Sequence, residues 1–374
     1  MISNLPQPII EIILCLLPTK EAVRTSILSR EWKYHWTTIP KLAFIEDAVK
    51  ASRDDDGLKE RLSIEKLNQV ISMHQGPIHE FSLSMHAKDP PCVEFDHIMD
   101  NFLSRNNNTL TKLTLDMCYG RYCPLPESLF SLHQLTHLYL YCCRLDVQPT
   151  FNGFGSLTYL YMGNVIISKR MLILFLSSCP LLTIVTLNAN VGSLPTAGDF
   201  TLIELFGCLP VIENLSICLR MMTDFAQGRV PNKLPIALVH LKCLCIRDAC
   251  APNQGDRIPC LLFLMRSCPN LEKLKLKIYH SLRFRSWTNH SDMWFAHLNE
   301  LEIEFWARRH FMMNLLPHML AKSPVLKMVK ILLRYKVSKD EESDMVRRYS
   351  AYAHASPVVE ITVESGVGFK FDRF

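Results

Sequence analysis

What this 374-residue sequence lacks narrows its chemistry before any motif is considered. No apolar run reaches the roughly 20 residues that a membrane-spanning helix needs. The longest candidate, MLILFLSSCPLLTIV from Met171 to Val185, is broken by Ser177, Ser178 and Pro180. The first apolar run, Ile9 to Leu17, contains Glu11 and follows no basic residue, so it does not read as a secretory leader. Neither sign of charge dominates. The 41 Lys and Arg residues stand against 36 Asp and Glu for a formal balance of +5, which gives no nucleic-acid footprint. There is no G-x-S-x-G elbow and no H-E-x-x-H helix, and Gly366-x-Gly368 has neither a third glycine nor a following helix. The 14 cysteines include no C-x2-C knuckle, so Cys218, Cys243, Cys245 and Cys250 read as small apolar thiols rather than metal ligands. Asp54 to Asp56 has no flanking ligands and reads as a solvated loop. The expectation is therefore no active site, no metal, no cofactor and no membrane, with reduced thiols in the cytoplasm and/or nucleus.

What is present begins with a dense apolar packet. Pro6 and Pro8 suit a helix start, Ile9, Ile10, Ile13, Leu14 and Leu17 recur at helical spacing, and Pro18 stops the helix. Thr19 and Ser29 are expected N-caps for two further short helices, the second carrying Trp32 and Trp36. Three such helices hold more aliphatic surface than they can hide among themselves, and an uncovered apolar patch of that kind marks a docking surface.

Ile2-Ser3-Asn4-Leu5-Pro6, then Leu17-Pro18-Thr19-Lys20-Glu21-Ala22-Val23-Arg24-Thr25-Ser26, then Leu28-Ser29-Arg30-x-Trp32-Lys33-x-x-Trp36 closely resemble the F-box of plant F-box proteins. The resemblance implies docking onto a Skp-type adaptor and, through it, a cullin-RING ubiquitin ligase. By that analogy Leu5 and Pro6 start the contact, Ile10, Ile13, Leu14 and Leu17 fill the adaptor groove, and Val23, Leu28, Trp32 and Trp36 shape the rest. Two departures stand out: Gln7-Pro8 where the family has an acidic residue, and Glu31 where it has a basic one.

From residue 78 a second pattern returns as IHEFSL, LTKLTL, LTHLYL, LTYLYM, LTIVTL, IENLSI, LKCLCI, LEKLKL, LNELEI and LKMVKI. Helical runs between copies often end in Ser-Cys-Pro or Ser-Pro, as at Ser178-Cys179-Pro180, Ser267-Cys268-Pro269 and Ser323-Pro324. Cys118, Cys143 and Asn190 occupy the polar turn position. The spacing predicts an α/β solenoid of stacked strands, each burying a face that it cannot bury alone. The copies resemble leucine-rich repeats of plant F-box proteins. SPVVEITV after a basic helix resembles the FBD region that closes many of them, with Val358, Ile361 and Val363 on an eleventh strand. The expected fold is a three-helix F-box, a curved parallel sheet with helices on its convex side, and an FBD-like cap. The expected divisions are residues 1–44, a linker over 45–75, repeats over 76–336, and the cap with its tail over 337–374.

Alternation along each strand assigns the other residues of each motif to an outer, concave face. There His137, Tyr139, Tyr141, Tyr159 and Tyr161 form an aromatic patch, the leading candidate for substrate contact. Lys273, Lys275 and Lys277 lie beside Glu300, Glu302 and Glu304 and are expected to pair as exposed ions that set register. Arg247, Lys273 and Lys275 are secondary ligand candidates. The function expected is substrate recognition for a Skp-cullin-F-box ligase, with an unidentified protein substrate. A small-molecule-dependent co-receptor and a scaffold without ligase activity are the alternatives.

Overall fold

All ten copies of the repeated pattern form strands in the computed structural model, which describes residues 5–45, 64–85, 93–117, 122–145, 151–191, 200–226, 229–248, 258–279, 294–306 and 315–366. The Ile2–Asn4 part of the first motif, the charge cluster over 50–61, Cys118, Cys250 and Gly368 lie outside those residues. The chain forms two compact units, one built on residues up to Leu182 and one on residues from Thr183 onward.

In the first unit, α1 (Gln7–Cys15) has Pro6 as its N-cap and Pro8 in its first turn. The next helix, α2 (Thr19–Arg24), is capped by Pro18 and not by Thr19. Thr19 is buried, and its hydroxyl accepts the Ala43 N–H at 2.6 Å, so the expected cap is a tie to a neighbouring strand instead. The third helical segment is a turn in which Ser29 Oγ accepts the Trp32 N–H at 3.3 Å, followed by a single 3-10 segment over His35–Thr38.

That segment runs straight into β1 (Lys41–Ile45), which the sequence reading missed. After α3 (Ile64–Met73) comes β2 (Glu80–Met85), parallel to β1 from Lys41↔Glu80 to Ile45↔Ser84. Then follow α4 (Val93–Arg105), β3 (Lys112–Met117), the short β4 (Cys123–Pro124), β5 (His137–Tyr141), the short β6 (Cys143–Arg144), β7 (Tyr159–Ile167) and α5 (Lys169–Ser177). The main strand order is β1-β2-β3-β5-β7, with β4 pairing β6 to one side. Alternate residues such as Leu83, Leu115, Leu140 and Leu160 bury on the helical face, each worth about 1.5–3 kcal/mol. The Phe81 ring there lies 4.3 Å from Phe102 of α4.

A short loop locks the N-terminal helices to this sheet. Gln75 and Gly76 donate their backbone N–H groups to Thr37 O, and a Cβ on Gly76 would lie 2.8 Å from Thr38 O, so only glycine fits. The buried His74 donates Nε2–H to Ile39 O at 2.9 Å. Burial holds its imidazole below the ordinary value of 6.5, so folding favours the neutral form while the unfolded chain takes up the proton more readily. Its contribution is complete above that ordinary value and is lost as pH falls through it toward the lower folded value. Thermal unfolding of the parent should therefore move to lower temperature between about pH 7 and pH 5 by more than it does in His74→Gln. Equal shifts in both proteins would show that this contact carries no pH-dependent stability.

The second unit contains β8 (Ile184–Val191), α6 (Leu202–Gly207), β9 (Asn214–Cys218), α7 (Leu219–Ala226), β10 (Cys243–Asp248), α8 (Ile258–Ser267), β11 (Lys273–Ile278), β12 (Glu300–Phe305), α9 (Leu315–Lys322), β13 (Met328–Leu333), α10 (Lys339–Ser350) and β14 (Glu360–Ser365). Its strands pair in sequence order, all parallel. Capping boxes start α6, where Thr201 and Glu204 bond reciprocally, and α10, where Ser338 and Glu341 do the same. Each cap is worth about 1 kcal/mol. The Ser-Cys-Pro turns work through their serines: Ser178 and Ser267 donate their hydroxyls to Leu174 O and Phe263 O, four residues back. The last strand places Ile361 against Val329 and Val363 against Ile331, but starts at Glu360 and leaves Val358 exposed.

Candidate functional site

Three surfaces hold the residues singled out in the sequence. On α1 the expected groove-filling set splits. Ile10 and Leu14 are only 1% exposed and pack into the unit's own core, while Ile13 and Leu17 remain open. Ile9, Ile12 and Leu16 share the open side, with Leu16 81% exposed. The exposed Leu28 stands next to Ile27, which is 82% exposed. Trp32 and Trp36 are buried, Leu5 and Val23 are half-buried and Pro6 is exposed. Sequence reasoning missed Ile9, Ile12 and Leu16 because apolar residues occur on every side of this short helix, and periodicity alone does not say which side turns inward, and it missed Ile27, which lies in a separate 3-10 segment over Thr25–Ile27. Gln7 is held in place. Its amide donates to Glu11 Oε1 and Thr38 Oγ1, each at 3.0 Å, and its carbonyl oxygen accepts the His35 Nδ1–H at 2.6 Å. A carboxylate at position 7 would face that of Glu11, so this departure from the F-box pattern fits its surroundings.

On the first unit's sheet, β5 and β7 place His137 opposite Tyr159, Tyr139 opposite Tyr161, and Tyr141 opposite Gly163. The Tyr139 and Tyr161 rings stack 4.2 Å apart at 7°, and His137 stacks on Tyr159 at 5.5 Å. A Cβ on Gly163 would come within 2.5 Å of the Tyr141 ring and 2.6 Å of Tyr161, so the glycine gives the two rings their space. Tyr161 is the most buried member and stacks against Tyr139 from the neighbouring strand, and the other four are half-exposed. Burial, then the nearby Lys112 ammonium, holds His137 below the usual imidazole range.

In the second unit, Lys273–Glu300, Lys275–Glu302 and Lys277–Glu304 are register partners with N···O distances of 2.6, 2.9 and 3.7 Å. The first pair is open to solvent. The third is not: its side chains are 7% and 0% exposed, and Arg334 Nε reaches Glu304 Oε1 at 2.5 Å. The expectation of six exposed ions is corrected here, because Tyr279 stacks on Trp306 at 4.7 Å and Arg334 lies over the Trp306 ring, closing off that end of the ladder. Lys273 and Lys275 are committed to glutamates, and Arg247 stands in register beside Lys277, so the three do not converge on a common point.

Burial disfavours the thiolate at several of the described cysteines. Burial pushes Cys123 and Cys268 up to about 12 and raises Cys243 as well. Among the described residues no three His, Cys, Asp or Glu groups lie close enough to hold a metal ion, and no helix is long and apolar enough to cross a membrane. A cavity of about 640 Å³ opens between α3 and α4. Asn68, Ser72, His97, Asn101 and Arg105 line it, residues four apart on facing helices that sequence reasoning did not single out.

Residues 2–43 match the F-box domain family, and residues 101–198 match the family described as FBD-associated F-box protein At5g56370, LRR repeats. The F-box/FBD/LRR-repeat protein At1g13570 of Arabidopsis thaliana is 27% identical over 413 aligned residues, which cover 96% of this chain and 97% of that protein. The chain is similar to plant F-box/FBD/LRR-repeat proteins. Two shorter likenesses, also in Arabidopsis thaliana, agree. The putative FBD-associated F-box protein At1g55030 is 32% identical over 58% of this chain and 47% of its own length. The FBD-associated F-box protein At5g56370 is 31% identical over 58% of this chain and 49% of its own. The F-box match covers α1, α2, the 3-10 segments over Thr25–Ile27 and His35–Thr38 and the start of β1, so the exposed aliphatics Ile9, Ile12, Leu16, Ile27 and Leu28 all lie within it.

Proposed function

We propose that this chain is the substrate-recognition subunit of a Skp-cullin-F-box ubiquitin ligase, acting in the cytoplasm and/or nucleus. The F-box, residues 1–44, docks a Skp-type adaptor through Leu5, Pro6, Ile13, Leu17 and Leu28 together with Ile9, Ile12, Leu16 and Ile27. Ile10, Leu14, Val23, Trp32 and Trp36 set the shape of that surface from within. Residues 45–75 join it to repeats over 76–336, and residues 337–374 cap the array. The repeat face carries a protein substrate, with His137, Tyr139, Tyr141, Tyr159 and Tyr161 as its contact. The chain supplies no catalytic group; ubiquitin transfer to the substrate comes from holding it near the charged enzyme.

One observation carries this reading: the F-box match coincides with large aliphatics left open on a folded unit. Exposed apolar groups of this kind commonly mark a surface that a partner covers. Reconstitution tests it. The full chain, co-expressed with a plant Skp-type adaptor, should elute as one complex that binds a cullin-RING module. Tyr139→Ala with Tyr161→Ala should leave that complex intact while lowering ubiquitination of its bound substrate. Elution of adaptor and chain as separate species would refute the role.

A further inference from the structure

One row of side chains crosses the whole sheet of the first unit. Lys41, Glu80, Lys112, His137 and Tyr159 are consecutive register partners on β1, β2, β3, β5 and β7. Glu80 receives Lys112 Nζ at 2.7 Å and Lys41 Nζ at 3.8 Å, so two ammonium groups share one carboxylate. All three side chains are partly open to solvent. His137 uses Nδ1 with Thr136 Oγ1 at 2.9 Å, and its Nε2 makes no hydrogen bond among the described residues. The next row is low and then high. Ala43, Ser82 and Thr114 give short side chains, after which the stacked Tyr139 and Tyr161 rise as a wall. Asp116, one row further on, is already engaged by other groups.

A shallow floor with a cationic rim and an aromatic wall has a definite complement. We propose that this face takes an acidic peptide segment of the substrate, placing a carboxylate side chain on the Lys41–Lys112–His137 row and an adjacent aromatic or apolar side chain against Tyr139. The proposal rests on the reading that the repeat face binds substrate, and it adds the chemistry recognised there. Carboxylate and ammonium pair by charge, the imidazole adds a donor at Nε2 when a bound carboxylate draws a proton onto it, and the phenol rings give rigid contact area at small entropic cost. Because β1 supplies Lys41 and Ala43, the F-box segment itself forms one end of this face.

The test uses random copolymers as probes, with the full chain held in complex with its adaptor. Immobilised poly(Glu,Tyr) should retain the complex at least about tenfold more tightly than poly(Lys,Tyr), and retention should fall as salt rises. The triple variant Lys41→Glu, Glu80→Lys, Lys112→Glu keeps two charges around one of opposite sign while inverting the rim, and its preference should pass to poly(Lys,Tyr). Equal retention of both copolymers by the parent, or an unchanged preference in the triple variant, overturns the proposal. If Tyr139→Ala with Tyr161→Ala still abolishes retention in that case, the aromatic face remains a binding surface and only its charge preference is withdrawn. Retention of neither copolymer by a complex that forms normally also overturns it. Failure to bind adaptor at all counts against the ligase role alone.

Discussion

Glu304→Ala should destabilise the second unit by about 3–5 kcal/mol, the cost of leaving buried cations without their counter-ion. Glu304 is fully buried between Lys277 and Arg334, whose side chains are themselves 7% and 10% exposed. The same ladder contains its own controls. Lys275–Glu302 is 20% and 17% exposed, and Lys273–Glu300 is 43% and 46% exposed, with the same residue types in the same parallel register. Glu300→Ala should therefore cost only about 0–1 kcal/mol, and Glu302→Ala should fall between the two. Urea titration of the three variants reads the gradient directly. Equal losses along the ladder would show that desolvation is not what distinguishes the pairs.

Leu16→Asp combined with Ile27→Asp should abolish adaptor binding while leaving the chain folded. Both side chains are more than four-fifths exposed, so charging them removes nothing from the core. In a covered interface, each would place an unpaired carboxylate among apolar groups. Truncation of a hot-spot residue alone costs about 2 kcal/mol or more, and two buried charges cost more than that. Far-UV circular dichroism and thermal unfolding should match the parent, and gel filtration with the adaptor should show two separate peaks. Leu14→Asp is the less informative choice, because Leu14 is buried and its loss would unfold the F-box along with the interface. Full binding by the double variant would move the docking surface off this side of α1.

The strands were legible because every copy of the pattern buries the same alternate positions, and that repetition survives even where individual residues vary, as in LTIVTL and LKMVKI. β1 was not. Its sequence KLAFI is short, overlaps the end of the F-box match and shows only part of the pattern, so nothing local separates it from the end of a helical unit. The facing of α1 was hidden for a different reason: Ile9, Ile10, Ile12, Ile13, Leu14, Leu16 and Leu17 surround the helix, and only tertiary contact selects Ile10 and Leu14 as the inner pair. Register of the Lys and Glu rows was readable from spacing. Their unequal burial depended on Tyr279, Trp306 and Arg334 at the strand ends, positions that the repeat pattern does not constrain. The aromatic stack was visible as a neighbourhood, while the space that Gly163 gives Tyr141 needed coordinates.

β1 also changes what the stretch from Asp47 to Ser63 has to do. The segments on either side of it, Lys41–Ile45 and the α3–β2 region, are already fastened to one another by a backbone ladder and by the His74, Gln75 and Gly76 contacts. The placement of α1 and α2 against the first strands is set by these contacts and not by the length of that stretch. Its length and charge can therefore vary without shifting β1 against β2.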